Sequence, residues 1–171
     1  PLPSCSRRNC NAEIIRSMAQ SAANNGASCA VSTELAISGY PPRDLLLQQD
    51  FIIKCQNEVF SIKAPIPILV GTPVVAKDSR TRPGNGAIAC GKVSREVVRK
   101  QLLPTYDVFD EARYFDPDER PGLARTFGNI DIAVTICEDA WQHSGNTPVD
   151  YDRDPISQII EWSRQGVNLD A

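Results

Sequence analysis

Apolar positions along this chain take two forms: stripes at three- and four-residue spacing, and short unbroken runs bounded by Gly, Pro or charge. The stripe Ile14, Ile15, Met18, Ala19, Ala22 predicts an amphipathic helix over 11–23, with an Asn near its start as cap and Gly26 beyond its end. The run at 29–33 then reads as a strand. Gly39-Tyr40-Pro41-Pro42 is a loop, because two prolines remove two donors and fix two φ angles. A second helix carries Phe51, Ile52, Cys55 and Phe60, with Asp44 or Asp50 as its cap.

The alternation then turns to strands. Residues 66–71 form a short apolar one, 78–85 a polar turn, and 86–90 with 92–98 a hairpin about Gly91. Residues 101–128 show no period and many charges, which predicts a long loop lying over something. Residues 130–136 make the clearest strand. Asp154-Pro155 is an N-cap followed by Pro at the first helical position, and Gly166 closes a helix bearing Ile156, Ile159, Ile160 and Trp162. Val167-Asn168-Leu169 reads as the start of a further strand. Helices alternating with apolar strands predict one α/β domain without internal repeats. A chain that opens on a helix and stops in a strand is expected to be partial at both termini.

Composition narrows the class. A net charge of −3 gives no reason to expect a nucleic-acid or anionic-membrane partner. No apolar run approaches the roughly 20 residues of a membrane span. Of the six cysteines no two stand in Cys-x-x-Cys spacing, which favours a reduced, cytoplasmic chain with no structural zinc.

Three residues carry candidate chemistry, each at the edge of an apolar run: Glu34, Lys100 and Cys137. A thiolate is a strong nucleophile, and the turn after a strand would expose it to backbone donors such as the N–H of Glu138. The alternative for Cys137 is a buried cysteine ending a core strand, although Glu138 and Asp139 mark that end as a polar mouth. His143, the one histidine, allows a Cys–His pair on residue type alone. Otherwise a desolvated carboxylate must take the thiol proton, with Glu34 as the natural candidate. The plain alternatives are a capping or ion-paired carboxylate for Glu34 and a solvated amine for Lys100.

The order Glu34, Lys100, Cys137 resembles the Glu-Lys-Cys triad of the nitrilase (carbon-nitrogen hydrolase) superfamily. Residues 34–47 (Glu-Leu-Ala-Ile-Ser-Gly-Tyr-Pro-Pro-Arg-Asp-Leu-Leu-Leu), 99–115 and Ile-Cys-Glu-Asp-Ala-Trp at 136–141 resemble the glutamine-hydrolysing domain of glutamine-dependent NAD synthetases. The resemblance implies an α-β-β-α sandwich, assembled as a homo-oligomer. It implies hydrolysis of the glutamine side-chain amide through a Cys137 thioester, with Glu34 as base and Lys100 and the Glu138 N–H as oxyanion donors. Tyr106, Glu138 and Trp141 would line the substrate pocket, plain packing being the alternative for Tyr106 and Trp141. No metal or cofactor is implied for that step. ATP and deamido-NAD would enter only through a synthetase domain or subunit, and no Ser-Gly-Gly-x-Asp-Ser loop occurs in these 171 residues.

Two departures bear on the site. Thr33 stands where the family has Pro, and Asp170 where it has a serine expected to help hold glutamine. The competing readings are a stand-alone amidase on another small amide, and a non-catalytic fragment serving oligomerisation.

Overall fold

Two faces of one sheet organise the molecule. The structure, a computed structural model, describes residues 7–78, 80–91, 96–119, 122–127 and 130–166. Helix α1 (Arg7–Asn24) is followed by strand β1 (Ala30–Val31), a 3-10 turn at Arg43–Leu47 and helix α2 (Gln49–Ser61). Strands β2 (Ile68–Val74), β3 (Gly84–Cys90) and β4 (Val97–Arg99) come next, then the one-turn helix α3 (Glu111–Tyr114). Strands β5 (Gly122–Phe127) and β6 (Ile130–Val134), two 3-10 turns at Cys137–Ala140 and Gln142–Ser144, and helix α4 (Pro155–Arg164) complete the order.

The larger sheet runs β1-β2-β3-β4, with β1 parallel to β2 and the other pairs antiparallel; β5 and β6 form a second, two-stranded sheet. The period-2 alternation of a strand sends its side chains to two different layers. Ile68, Val70, Val74, Ile88 and Cys90 pack under the helices with Ala12, Ile15, Ala19, Phe51, Ile52, Cys55 and Val59. Leu69, Ala87, Ala89 and Val98 face the other way, against Ile132 of the second sheet and Ile136 just beyond it. Helices over one face and a second sheet over the other make an α/β layered fold. β2 and β3 are therefore buried along their whole length, which explains apolar runs without polar alternation.

Several sequence expectations are corrected. Helix α1 begins at Arg7, so Asn11 lies inside it and donates its amide to the Ile37 carbonyl (3.0 Å) rather than capping. Its buried face is Ala12, Ile15 and Ala19, so Ile15 and Ala19 of the expected stripe are covered while Ile14 and Met18 are exposed. The strand at 29–33 shortens to Ala30–Val31. Neither Asp44 nor Asp50 caps α2: its N-cap is Gln48, without a side-chain bond, and Asp44 instead accepts from the Tyr114 hydroxyl (2.8 Å). Strand β3 starts at Gly84, inside the predicted polar turn.

The predicted loop over 101–128 contains α3 and β5, whose sequence Gly-Leu-Ala-Arg-Thr-Phe hides its strand behind a charge; pairing with β6 forms it. Strand β6 ends at Val134, two residues before the apolar run does. Of the hairpin expected about Gly91, β3 pairs antiparallel with β4 at Val97–Arg99, Gly86 opposite Arg99 and Ile88 opposite Val97, while residues 92–95 of its second arm lie outside the described residues. Helix α4 starts as its sequence predicts: the Asp154 side chain accepts from the Ser157 N–H and Pro155 opens the helix. Residues 167–171, with the expected strand at 167–169 and Asp170, lie outside the described residues.

Candidate active site

The inter-sheet core ends in polar residues. On β3 the face that buries Ala87 and Ala89 carries Asn85 two positions earlier, and β4 hands Val98 to that core and is followed by Lys100. The Lys100 backbone is fixed on both sides, its N–H donating to Asn85 (2.8 Å) and its carbonyl accepting from Asp118 (2.9 Å).

Glu34 arrives from the turn after β1. That turn lies on the sheet at Gly71: a Cβ there would collide with the Thr33 carbonyl and stand 2.7 Å from the Leu35 nitrogen. Glycine at 71 is what lets the backbone of Glu34 come this close. The Gly71 N–H donates to Ser32 Oγ (2.9 Å) and its carbonyl accepts from the Ile37 N–H (3.2 Å), holding the turn in place.

These elements assemble a buried charge cluster. The Lys100 ammonium, 0% exposed, donates to Glu34 Oε1 at 2.8 Å and to both oxygens of Glu111 at 3.0 Å. The Asn85 amide bridges the two carboxylates, from Nδ2 to Glu34 Oε1 at 2.6 Å and to Glu111 Oε2 at 3.2 Å. Both donors to Glu34 converge on Oε1. Among the described residues none donates to Oε2.

The electrostatics follow from burial. Burial alone would push the Lys100 amine down, but Glu111 and Glu34 outweigh it and hold it above its usual range. Burial raises the Glu111 carboxyl, an effect that Lys100 opposes and the Glu34 charge reinforces. Tyr40, whose hydroxyl reaches Glu111 Oε1 at 3.5 Å, is pushed up to about 12, first by burial and then by that carboxylate.

Cys137 begins the turn after β6 with φ 50°, a left-handed conformation uncommon outside glycine. Of the five described cysteines it is the exposed one. A cavity of about 110 Å³ between the sheets is lined by both Glu34 and Cys137, with Gly71, Gly86 and Ile136. Burial raises the thiol; Lys100 opposes this, and the carboxylates of Glu34, Glu111 and Glu138 add to the rise. Burial and these carboxylates together favour the neutral thiol. The Glu138 N–H sits at the start of a helical turn, where amides have no partner inside the helix.

The remaining expected residues are placed as follows. Glu138 is buried, and both its oxygens accept from the Tyr106 hydroxyl (2.9 Å each); Tyr151, which sequence reasoning did not single out, donates to Oε1 at 3.0 Å. Tyr106 also packs edge-on against Phe109 at 5.8 Å. Trp141 is half exposed, its backbone closing the turn through a bond to the Glu138 carbonyl (3.0 Å). His143 stands apart from the cluster, paired with Asp154 (2.9 Å) at the start of α4. Asn85 and Glu111 were missed: one lay in a predicted turn, the other in a run of charges without period. A wider cleft of about 420 Å³, lined by Tyr40, Arg43, Phe109 and Tyr114, reaches Glu111 from the other side.

Known proteins resemble this chain at both levels. A glutamine-dependent NAD(+) synthetase of Synechocystis sp. is 37% identical across 93% of the chain, which spans 30% of that relative. One from Xanthomonas campestris pv. campestris is 40% identical across 63% of the chain and 20% of the relative. Nearly the whole chain is thus similar to one part of the glutamine-dependent NAD(+) synthetases. No protein-family model matches it.

The solved glutamine-dependent NAD+ synthetase of Acinetobacter baumannii superposes with a TM-score of 0.71 at 25% identity, over 95% of this chain and 28% of that one. An amidase from Nesterenkonia sp. AN1 matches with a TM-score of 0.64 at 18% identity, over 78% of this chain and 53% of its own. At that identity the likeness is one of fold, and the fold is that of the nitrilase superfamily. The chain spans about a third or less of the length of the synthetases it matches. No helix among the described residues is long and apolar enough to cross a membrane.

Proposed function

We propose that this site hydrolyses the side-chain amide of glutamine through a Cys137 thioester and supplies ammonia for NAD synthesis. One arrangement carries the reading: Glu34 faces Cys137 across a shared cavity while Lys100 and Asn85 occupy its other oxygen. Glu34 Oε2 takes the thiol proton as Sγ attacks the amide carbon. The carbonyl π electrons move to oxygen, and Lys100 and the Glu138 N–H stabilise that oxyanion. In this reading one ammonium N–H is shared between the two Glu111 oxygens, a second serves Glu34 and the third serves the oxyanion. When the C–N bond breaks, Glu34 returns the proton to the departing nitrogen and ammonia leaves. Glu34 then deprotonates water, which cleaves the thioester to glutamate and restores the thiol.

Within this reading Tyr106, Glu138 and Trp141 border the substrate. The step needs no metal or cofactor, because the oxyanion and the proton are both handled by side chains. ATP and deamido-NAD belong to a synthetase domain or subunit that receives the ammonia, and the 171 residues serve as a single carbon-nitrogen hydrolase unit in a cytoplasmic homo-oligomer. The test compares turnover of glutamine with that of propionamide. Preference for glutamine by at least about tenfold is expected, and equal turnover would replace this reading by that of a general small-amide hydrolase.

A further inference from the structure

Asp139 is a second buried carboxylate beside the site, 3% exposed, and no residue given a chemical role above touches its side chain. Among the described residues all its bonds run to backbone. Oδ1 accepts from the N–H groups of Gln101 (3.0 Å) and Leu102 (2.8 Å), and Oδ2 from that of Ile136 (3.1 Å). Gln101 and Leu102 directly follow Lys100, and Ile136 directly precedes Cys137. These two segments leave strands of different sheets, so no ladder bond joins them. The Gln101 side-chain amide is buried without a partner, so its own side chain does not anchor that segment.

We propose that Asp139 is a positioning residue that sets Cys137 against Lys100 by clamping the backbone beside each. The inference rests on those two groups acting together, as proposed above. An acceptor-only group is needed, because each of the three bonds is donated by a main-chain N–H. An asparagine of the same shape would turn an NH2 toward one of those donors and lose the bond. The clamp also supports the left-handed backbone of Cys137, a conformation that persists only where the surroundings over-determine it. Displacement of Lys100 from the thiol removes the one charge that opposes the rise of its pKa.

The experiment follows iodoacetamide labelling of the Cys137 peptide against pH by mass spectrometry, in the whole chain. Compared are the parent, Asp139→Asn, Lys100→Met, and Val59→Ala as a core variant remote from the site. Asp139→Asn and Lys100→Met should both move the labelling midpoint to higher pH, and a midpoint higher by about one pH unit slows neutral-pH labelling about tenfold. Val59→Ala should lower thermal stability without moving the midpoint. An unmoved midpoint in Asp139→Asn beside a moved one in Lys100→Met overturns the clamp. If both stay unmoved, the coupling of Lys100 to Cys137 itself falls. Hydrogen exchange of the parent supplies a reading that needs no variant: the amides of Gln101, Leu102 and Ile136 should open together. Independent opening at different rates would overturn the proposal.

Discussion

Two clusters in this molecule use similar partners to opposite ends. At the mouth of the inter-sheet core, Lys100 sits between Glu34 and Glu111 with the Asn85 amide across both carboxylates. At the start of α4, His143 meets Asp154 at 2.9 Å, and the Ser157 hydroxyl bonds the same carboxylate at 2.7 Å. Both group a nitrogen, a carboxylate and a polar neighbour, yet the Lys100 side chain is 0% exposed and that of His143 48%. Residue type does not separate them; desolvation does. In the first, burial makes the charges shift one another's protonation equilibria. The second is a helix cap with a histidine laid over it.

The comparison breaks first at Glu111. Glu111→Leu leaves the buried ammonium one carboxylate short and should cost about 3–5 kcal/mol of unfolding free energy in urea. A loss under about 1 kcal/mol would mean that the cluster is more hydrated than its burial indicates.

Asp139 sharpens the contrast through pH. Burial raises its carboxyl to about 6 against an opposing set of three backbone bonds, whereas an unfolded Asp titrates near ~3.9. Between these values the native state holds the extra proton, so stability falls as pH rises from about 4 to about 6. The contribution is fully present below the lower value and lost above the upper one. The parent should therefore lose up to about 3 kcal/mol relative to Asp139→Asn across that window, read as the difference between their melting curves. A difference that is flat or grows with pH would contradict the raised carboxyl.

The exposed cluster should respond weakly. Asp154→Ala removes the N-cap of α4 and should cost about 1 kcal/mol. His143→Ala should cost less, about 0.2–1 kcal/mol, with no change in glutamine turnover. A large effect of His143→Ala on turnover would reopen the Cys–His pair that its residue type allowed.

How legible this was in the sequence depended on periodicity. The positions of Glu34, Lys100 and Cys137 just beyond apolar runs could be read because the residues themselves break the pattern, although β1 and β4 are only two and three residues long. Helix α4 could be read from Asp154-Pro155 and Gly166, since capping chemistry is local. Asn85 and Glu111 could not. Asn85 follows Gly84 in what reads as a turn, and only pairing of β3 with β2 makes it a strand residue. Glu111 lies in a charged stretch whose burial depends on Lys100, eleven residues earlier in the chain, coming to meet it. Two members of the α1 stripe, Ile14 and Met18, are exposed for a related reason: they fit the helical period as well as Ala12 does, and only packing across the fold decides which face is covered. Contacts made across the fold leave no local signal.

The central claim is that Cys137 forms the thioester in glutamine hydrolysis. Glutamate released from glutamine by the 171-residue chain and by Cys137→Ala tests it most directly. The account predicts release by the parent and none above background in the variant, with both giving the same circular dichroism spectrum. Release that persists in Cys137→Ala would contradict it.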